Sequence, residues 1–130
     1  MSSIFSKIIN KEIPAYIVSE DKDNIAFMDI FPIQRGHVLV VPKIEVDNIF
    51  DLTLESYLSL FSFAKKVSKS IQKIIPCNRI GVSVIGLEVP HAHIHLVPIN
   101  TLDDMDFKRK KNISKMELLK LAEKISKEIK

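Results

Sequence analysis

Apolar and polar positions along the 130-residue chain fall into a few periodic stretches. Ile4, Phe5, Ile8 and Ile9 repeat at helical spacing and predict a short helix within residues 3–10, closed by Pro14. Tyr16–Glu20 and Asn24–Asp29 read as strands around the turn Asp21-Lys22-Asp23, and His37–Val41 as a third after the turn from Pro32 to Gly36. The longest pattern covers residues 54–75, where Leu54, Tyr57, Leu58, Leu60, Phe61, Phe63, Ala64, Val67, Ile71, Ile74 and Ile75 lie in an apolar arc of roughly 220°, against the ~100° or somewhat wider stripe of a helix burying one face. Asp51 or Thr53 serves as its N-cap, and Pro76 ends it. So wide an arc needs a second covering surface besides the sheet. No other large apolar element is evident in the chain, so the pattern predicts a homodimer. Arg79–Ile85 and His91–Asn100 predict two more strands. A last helix starts near Ser114, which stands at capping-box spacing from Glu117, with Leu118, Ala122, Ile125 and Ile129 along one side. The order predicts an α+β fold: an antiparallel sheet of about five strands, one long helix, a short N-terminal helix and a C-terminal helix.

Composition adds bounds. With 46% hydrophobic and 27% charged residues the chain has the make-up of one folded domain. The single cysteine, Cys77, excludes an intrachain disulfide and fits a reducing compartment. With no basic leader followed by an apolar run, and no membrane-length apolar stretch, the expected location is the cytoplasm and no membrane partner is expected. Residues 1–100 hold 10 basic and 10 acidic side chains, so the net charge of +3 belongs to residues 101–130. Its densest block, Lys108-Arg109-Lys110-Lys111, has no aromatic residue interleaved for base stacking and reads as a solvated linker rather than a nucleic-acid contact.

Three of the four histidines stand in His91-Ala92-His93-Ile94-His95. On a strand the three imidazoles share one face, and Ala92, Ile94 and Leu96 the other. Metal binding is one use of such a row. The outer two histidines lie roughly 13 Å apart along a strand, so all three reach one ion only by lying flat toward it, and Glu88 is the only nearby acid. A two-histidine metal site stays open as an alternative. The other use is phosphate chemistry, because neutral imidazole is a nucleophile near pH 7 and imidazolium a donor to phosphate oxygens.

The run His-Ala-His-Ile-His-Leu-Val resembles the signature of the histidine-triad family. SIFSKIINKEIPA at 3–15, AFMDIFP at 26–32 and GHVLVVPK at 36–43 are similar, in the same order, to its Hint-like branch. The resemblance implies a HIT domain over residues 1–100, followed by a basic C-terminal extension, 101–130, with a helix packed on or beside it. It implies a nucleotide hydrolase or transferase acting at the α-phosphate of purine nucleotide conjugates, of phosphoramidase or dinucleoside polyphosphate hydrolase type. His93 would be the nucleophile of a covalent nucleotidyl-histidine, His91 and His95 would flank it, with His95 on the phosphate, and His37 would support the row. Asp29 would bind the ribose hydroxyls, and Phe5, Ile8, Ile13, Phe27 and Ile30 would enclose the base. No cofactor is obligatory on that reading, although Mg²⁺ can help with polyphosphate substrates. Some members carry Cys-x-x-Cys near the N-terminus and a histidine after Pro-Lys as part of a structural zinc site. This chain has Ser3, Ser6 and Glu45 instead, so no structural zinc is expected. The family's Gly-Gln-Ser/Thr-x-x-His is replaced by Gly86-Leu87-Glu88-Val89-Pro90-His91. Glu88 thus stands where the resemblance implies a neutral hydroxyl near the phosphate, and a carboxylate there repels phosphoryl oxygens unless it points away, pairs with a cation or keeps a proton through a raised pKa. The alternative from another class is a non-catalytic nucleotide-binding or scaffold protein in which Glu88 weakens the chemistry.

Overall fold

A computed structural model describes residues 2–129. Helix α1 (Ile4–Ile9) is followed by strands β1 (Ile17–Glu20), β2 (Asn24–Met28) and β3 (Val38–Pro42). Helix α2 (Leu54–Ile74), strands β4 (Arg79–Ser83) and β5 (Ile94–Ile99), and helix α3 (Lys115–Lys127) complete the order. The five strands form one antiparallel sheet in the order β1-β2-β3-β5-β4. Thr53 caps α2 by accepting the Ser56 amide at 3.1 Å, and Ser114 caps α3 by accepting that of Glu117, also at 3.1 Å.

The period of two along the strands sorts the interior into two layers. Ala26 and Met28, Val38 and Val40, and Ala92, Ile94 and Leu96 face α2 and α3 in the larger core. Ile25, Phe27, Leu39 and Val41 face the other way, against Phe5 and Ile8 of α1. The histidine row is on this second side, because His93 and His91 pack on Phe5.

Two details differ from the sequence reading. The strand expected from His91 begins only at Ile94. The Ala92 amide bonds to Val46 O at 2.7 Å, the His91 amide to Val89 O at 2.8 Å, and the His93 ring takes the His91 carbonyl, so these groups are withdrawn from the ladder. The second cover for α2 also has a source in the chain itself. Leu118, Leu121, Ala122 and Ile125 of α3 join α2 in the larger core, which overturns the premise that no other apolar element was at hand. Leu54 and Leu58 of α2 remain exposed, as does Val82 on edge strand β4. Among the described residues no helix is long and apolar enough to cross a membrane.

The loop between β2 and β3 turns back through Gly36, whose φ of +91° disfavours any side chain. A Cβ there would also come within 2.9 Å of Ile75 Cγ1. The tight turn sets His37 at the mouth of β3, facing β5.

Candidate active site

His91 is fully buried, and both its ring nitrogens are engaged. Nε2–H donates to the Pro42 carbonyl at 2.8 Å, so Nδ1 accepts the hydroxyl hydrogen of Ser3 at 2.7 Å. That serine, the N-cap of α1, also accepts the Ser6 amide at 3.0 Å. Glu45 Oε1 accepts the Ser3 amide and the Ser6 hydroxyl, each at 2.6 Å. These two bonds, the Ser3 amide first, hold the Glu45 carboxyl below its usual range. The arrangement ties the first turn of α1 to the segment after β3 and to the start of the histidine row. Ser3, Ser6 and Glu45 supply no thiolate or imidazole and already satisfy one another, so the trio does not fit a structural zinc ion.

His93 donates Nδ1–H to the backbone carbonyl of His91 at 2.7 Å. That bond fixes the tautomer and leaves the lone pair on Nε2. Phe5 braces the ring edge-on at 5.0 Å. Burial pushes the His93 pKa down, against the opposing effect of the His91 carbonyl and the carboxylates of Asp29 and Glu88. The imidazole is therefore neutral at pH 7, as a nucleophile must be.

His37 is also fully buried. Its Nδ1 accepts the Ile33 amide at 3.1 Å, so the ring hydrogen sits on Nε2, 3.0 Å from His95 Nδ1 and 3.5 Å from Asp29 Oδ2. His95 thus accepts at Nδ1 and carries its own hydrogen on Nε2. Burial lowers the pKa of both rings to about 3, with Lys110 and His93 adding to the effect on His37, and His37, His93 and Lys110 to that on His95. Ser83 pairs with His95 across the β4–β5 ladder.

Asp29, His37 and His95 bring ligand-type atoms within 4.8 Å of one another. A metal-bound imidazole offers a lone pair to the ion and donates from its other nitrogen. His37 does the reverse, so this cluster is an ordered hydrogen-bond chain rather than a donor set for a cation.

The predicted base-enclosing residues separate. Phe5, Ile8 and Phe27 are buried together with Ile13 at their edge, and the rings of Phe5 and Phe27 meet at 5.5 Å. Ile30 stands exposed. Asp29, beside it, accepts the Phe31 amide at Oδ1, at 2.8 Å, and keeps lone pairs free on both oxygens. Glu88 is exposed, with no hydrogen bond or ion pair among the described residues. One residue escaped the sequence reading altogether: Phe107, from the chain after β5, lies edge-on to His95 at 4.8 Å and to His37 at 6.1 Å. Its signal was a lone aromatic beside an otherwise basic run. Two surface hollows of about 340 and 290 Å³ lie along α3 and contain none of the predicted site residues.

The HIT domain family model matches residues 10–102, a span that includes the whole histidine row. The chain belongs to the HIT family. A HIT-like protein of Borreliella burgdorferi is 34% identical over 132 residues, covering 95% of each chain. The purine nucleoside phosphoramidase of Escherichia coli is 35% identical over 105 residues, covering 73% of this chain and 85% of that one. A crystal structure of a Hit-like protein from Bartonella henselae superposes with a TM-score of 0.86 at 31% identity, covering 98% of this chain and 96% of that one. The HIT fold of that neighbour therefore extends through nearly all of residues 101–130 as well.

Proposed function

We propose that this HIT protein is a nucleotide hydrolase or transferase that cuts at the α-phosphate of purine nucleotide conjugates through a covalent intermediate on His93. The observation that carries the reading is the bond from His93 Nδ1–H to the His91 carbonyl, which leaves Nε2 unprotonated, with its lone pair available. Beside it, His95 keeps an Nε2–H for a phosphoryl oxygen because His37 supplies a hydrogen to its Nδ1. Nε2 of His93 attacks phosphorus, and the phosphate on the other side departs with the bonding pair, or the amine does so while taking up a proton from solvent. Water then attacks the same phosphorus, gives its proton back to solvent, and breaks the bond to His93 Nε2 to release the monophosphate and neutral His93. Phe5, Ile8 and Phe27 are the apolar wall suited to a base, and Asp29 suits the ribose hydroxyls. These residues supply the groups of this scheme without a metal ion.

The test is release of AMP from adenosine 5′-phosphoramidate. The wild type turns over, and His93→Ala abolishes turnover while AMP binding changes less than severalfold. Nucleotide binding without turnover in the wild type would instead support the scaffold reading. We also propose a homodimer, supported by the exposed Leu54, Leu58 and Val82. Light scattering should give twice the chain mass of 14.8 kDa, and a value equal to the chain mass at micromolar concentration contradicts it.

A further inference from the structure

The segment between β5 and α3 is tied down at both ends against the loop that carries Asp29 and His37. Asp104 Oδ2 accepts the amides of Asn100 and Thr101 at 2.8 and 3.1 Å, and the Asp104 carbonyl accepts Gln34 Nε2 at 3.0 Å. Asp106 then organises a turn, accepting the Lys108 amide at its carboxylate at 2.9 Å and pairing with Arg109 at 3.3 Å. That turn lays the Phe107 ring on His95 and His37. Four residues on, the Lys111 amide donates to Pro32 O at 2.6 Å and its ammonium to Gln34 Oε1 at 2.8 Å. Lys110 lies between these two anchors and is exposed, and its charge adds to the burial that lowers the pKa of His37 and of His95. Neither Lys110 nor Lys108 makes an ion pair among the described residues, whereas Arg109 is matched by Asp106.

Resting on the α-phosphate reading above, we infer that residues 106–111 form an anion subsite, in which Lys110, assisted by Lys108, holds phosphate groups of the substrate beyond the α-phosphate. Through Phe107 the segment packs on His95, the histidine whose Nε2–H the reading above assigns to a phosphoryl oxygen. A charge on a segment anchored at both ends stays nearer the site than one on a free tail, so it discriminates between substrates by their phosphate charge. The substrate class so favoured is a nucleotide with a polyphosphate chain rather than one with a neutral amine. The subsite lies outside residues 10–102, the span that the HIT domain model matches.

The test compares equilibrium binding of AMP and ATP by calorimetry, with chelator present, for the wild type and for Lys110→Gln, Lys108→Gln and Lys110→Arg. The wild type should bind ATP about five- to tenfold more tightly than AMP, an advantage that shrinks with added salt. Lys110→Gln should remove most of it, Lys108→Gln a smaller part, and Lys110→Arg little, with melting temperatures unchanged. Equal affinities for AMP and ATP in the wild type, or an ATP advantage that survives Lys110→Gln together with Lys108→Gln, would overturn the subsite and leave the proposed hydrolase intact. Failure of both nucleotides to bind would remove the proposed function as well.

Discussion

At the His91 end of the histidine row every ring nitrogen is taken up by the protein, whereas at the His95 end a hydrogen on Nε2 remains free. The His91 ring is fixed between Ser3 and Pro42, and Ser3 is fixed in turn by Glu45. The His95 ring is supplied with a hydrogen from His37 and covered by Phe107 and a cationic segment. Between them His93 takes its orientation from the first end, through the His91 carbonyl, and its neighbours in reaction from the second. Three identical side chains thus have three roles because their backbone and side-chain partners differ. His91, buried and with both nitrogens bonded within the protein, has none left for a substrate, and on the proposed reading it acts by holding His93.

The largest expected effect comes from the middle of the row. His93→Ala should lower kcat for the phosphoramidate by about a thousandfold or more, as for other removed nucleophiles. A loss of under tenfold would mean that the row is not the reacting centre.

Breaking the locked end should have a smaller effect of a particular form. Ser3→Ala removes the hydrogen donor to His91 Nδ1 and should cut kcat by about ten- to a hundredfold with KM little changed, as for other residues that orient a reacting imidazole. Ser3→Thr, which keeps the hydroxyl, should restore most of the activity. Equal rises in KM and falls in kcat, without rescue by threonine, would reduce Ser3 to a helix cap.

The open end sharpens through pH. His37 has a folded-state pKa near 3 against an ordinary value of 6.5, so between those values the unfolded chain binds the proton and the folded one does not. Stability is therefore complete above about pH 6.5 and is lost as pH falls toward 3, at up to about 1.4 kcal/mol per pH unit from this histidine. Denaturant midpoints from pH 7 to 4 should decline less steeply in His37→Gln than in the wild type. For the same reason the acid limb of the rate profile, which reports protonation of His93, should lie below 6.5. An acid limb above 6.5 contradicts a buried, neutral His93.

Much of this was legible in the sequence, for identifiable reasons. Strand alternation placed the histidines opposite Ala92, Ile94 and Leu96, and the five-strand sheet, the long helix and the Ser114 cap followed from period and capping residues. What escaped depends on contacts between distant segments. Ser3 and Glu45 are 42 residues apart, and their absence from a zinc-ligand pattern gave no hint that they form a hydrogen-bonded lock on His91. The basic run reads as a solvated linker in sequence because what ties its segment to the loop between β2 and β3 is a bond from Lys111 to Gln34, across 77 residues, and the contact of Phe107 with His95. The second cover of α2, besides the sheet, reads as a partner in sequence because α3 is far along the chain and meets α2 only when it folds back. The orphaned prediction is Ile30, which a sequence match alone placed on the base and which the fold leaves exposed.

The claim on which the rest depends is that His93 Nε2 becomes bonded to phosphorus. Wild-type protein should be quenched with base during turnover of adenosine 5′-phosphoramidate, digested, and mapped by mass spectrometry under non-acidic conditions that preserve phosphorus–nitrogen bonds. The account predicts adenylate on the peptide that carries residues 91–95, located at His93 and absent from His93→Ala. Adenylate on any other residue, or steady turnover with no labelled histidine when the quench catches the rate-limiting breakdown step, would contradict it.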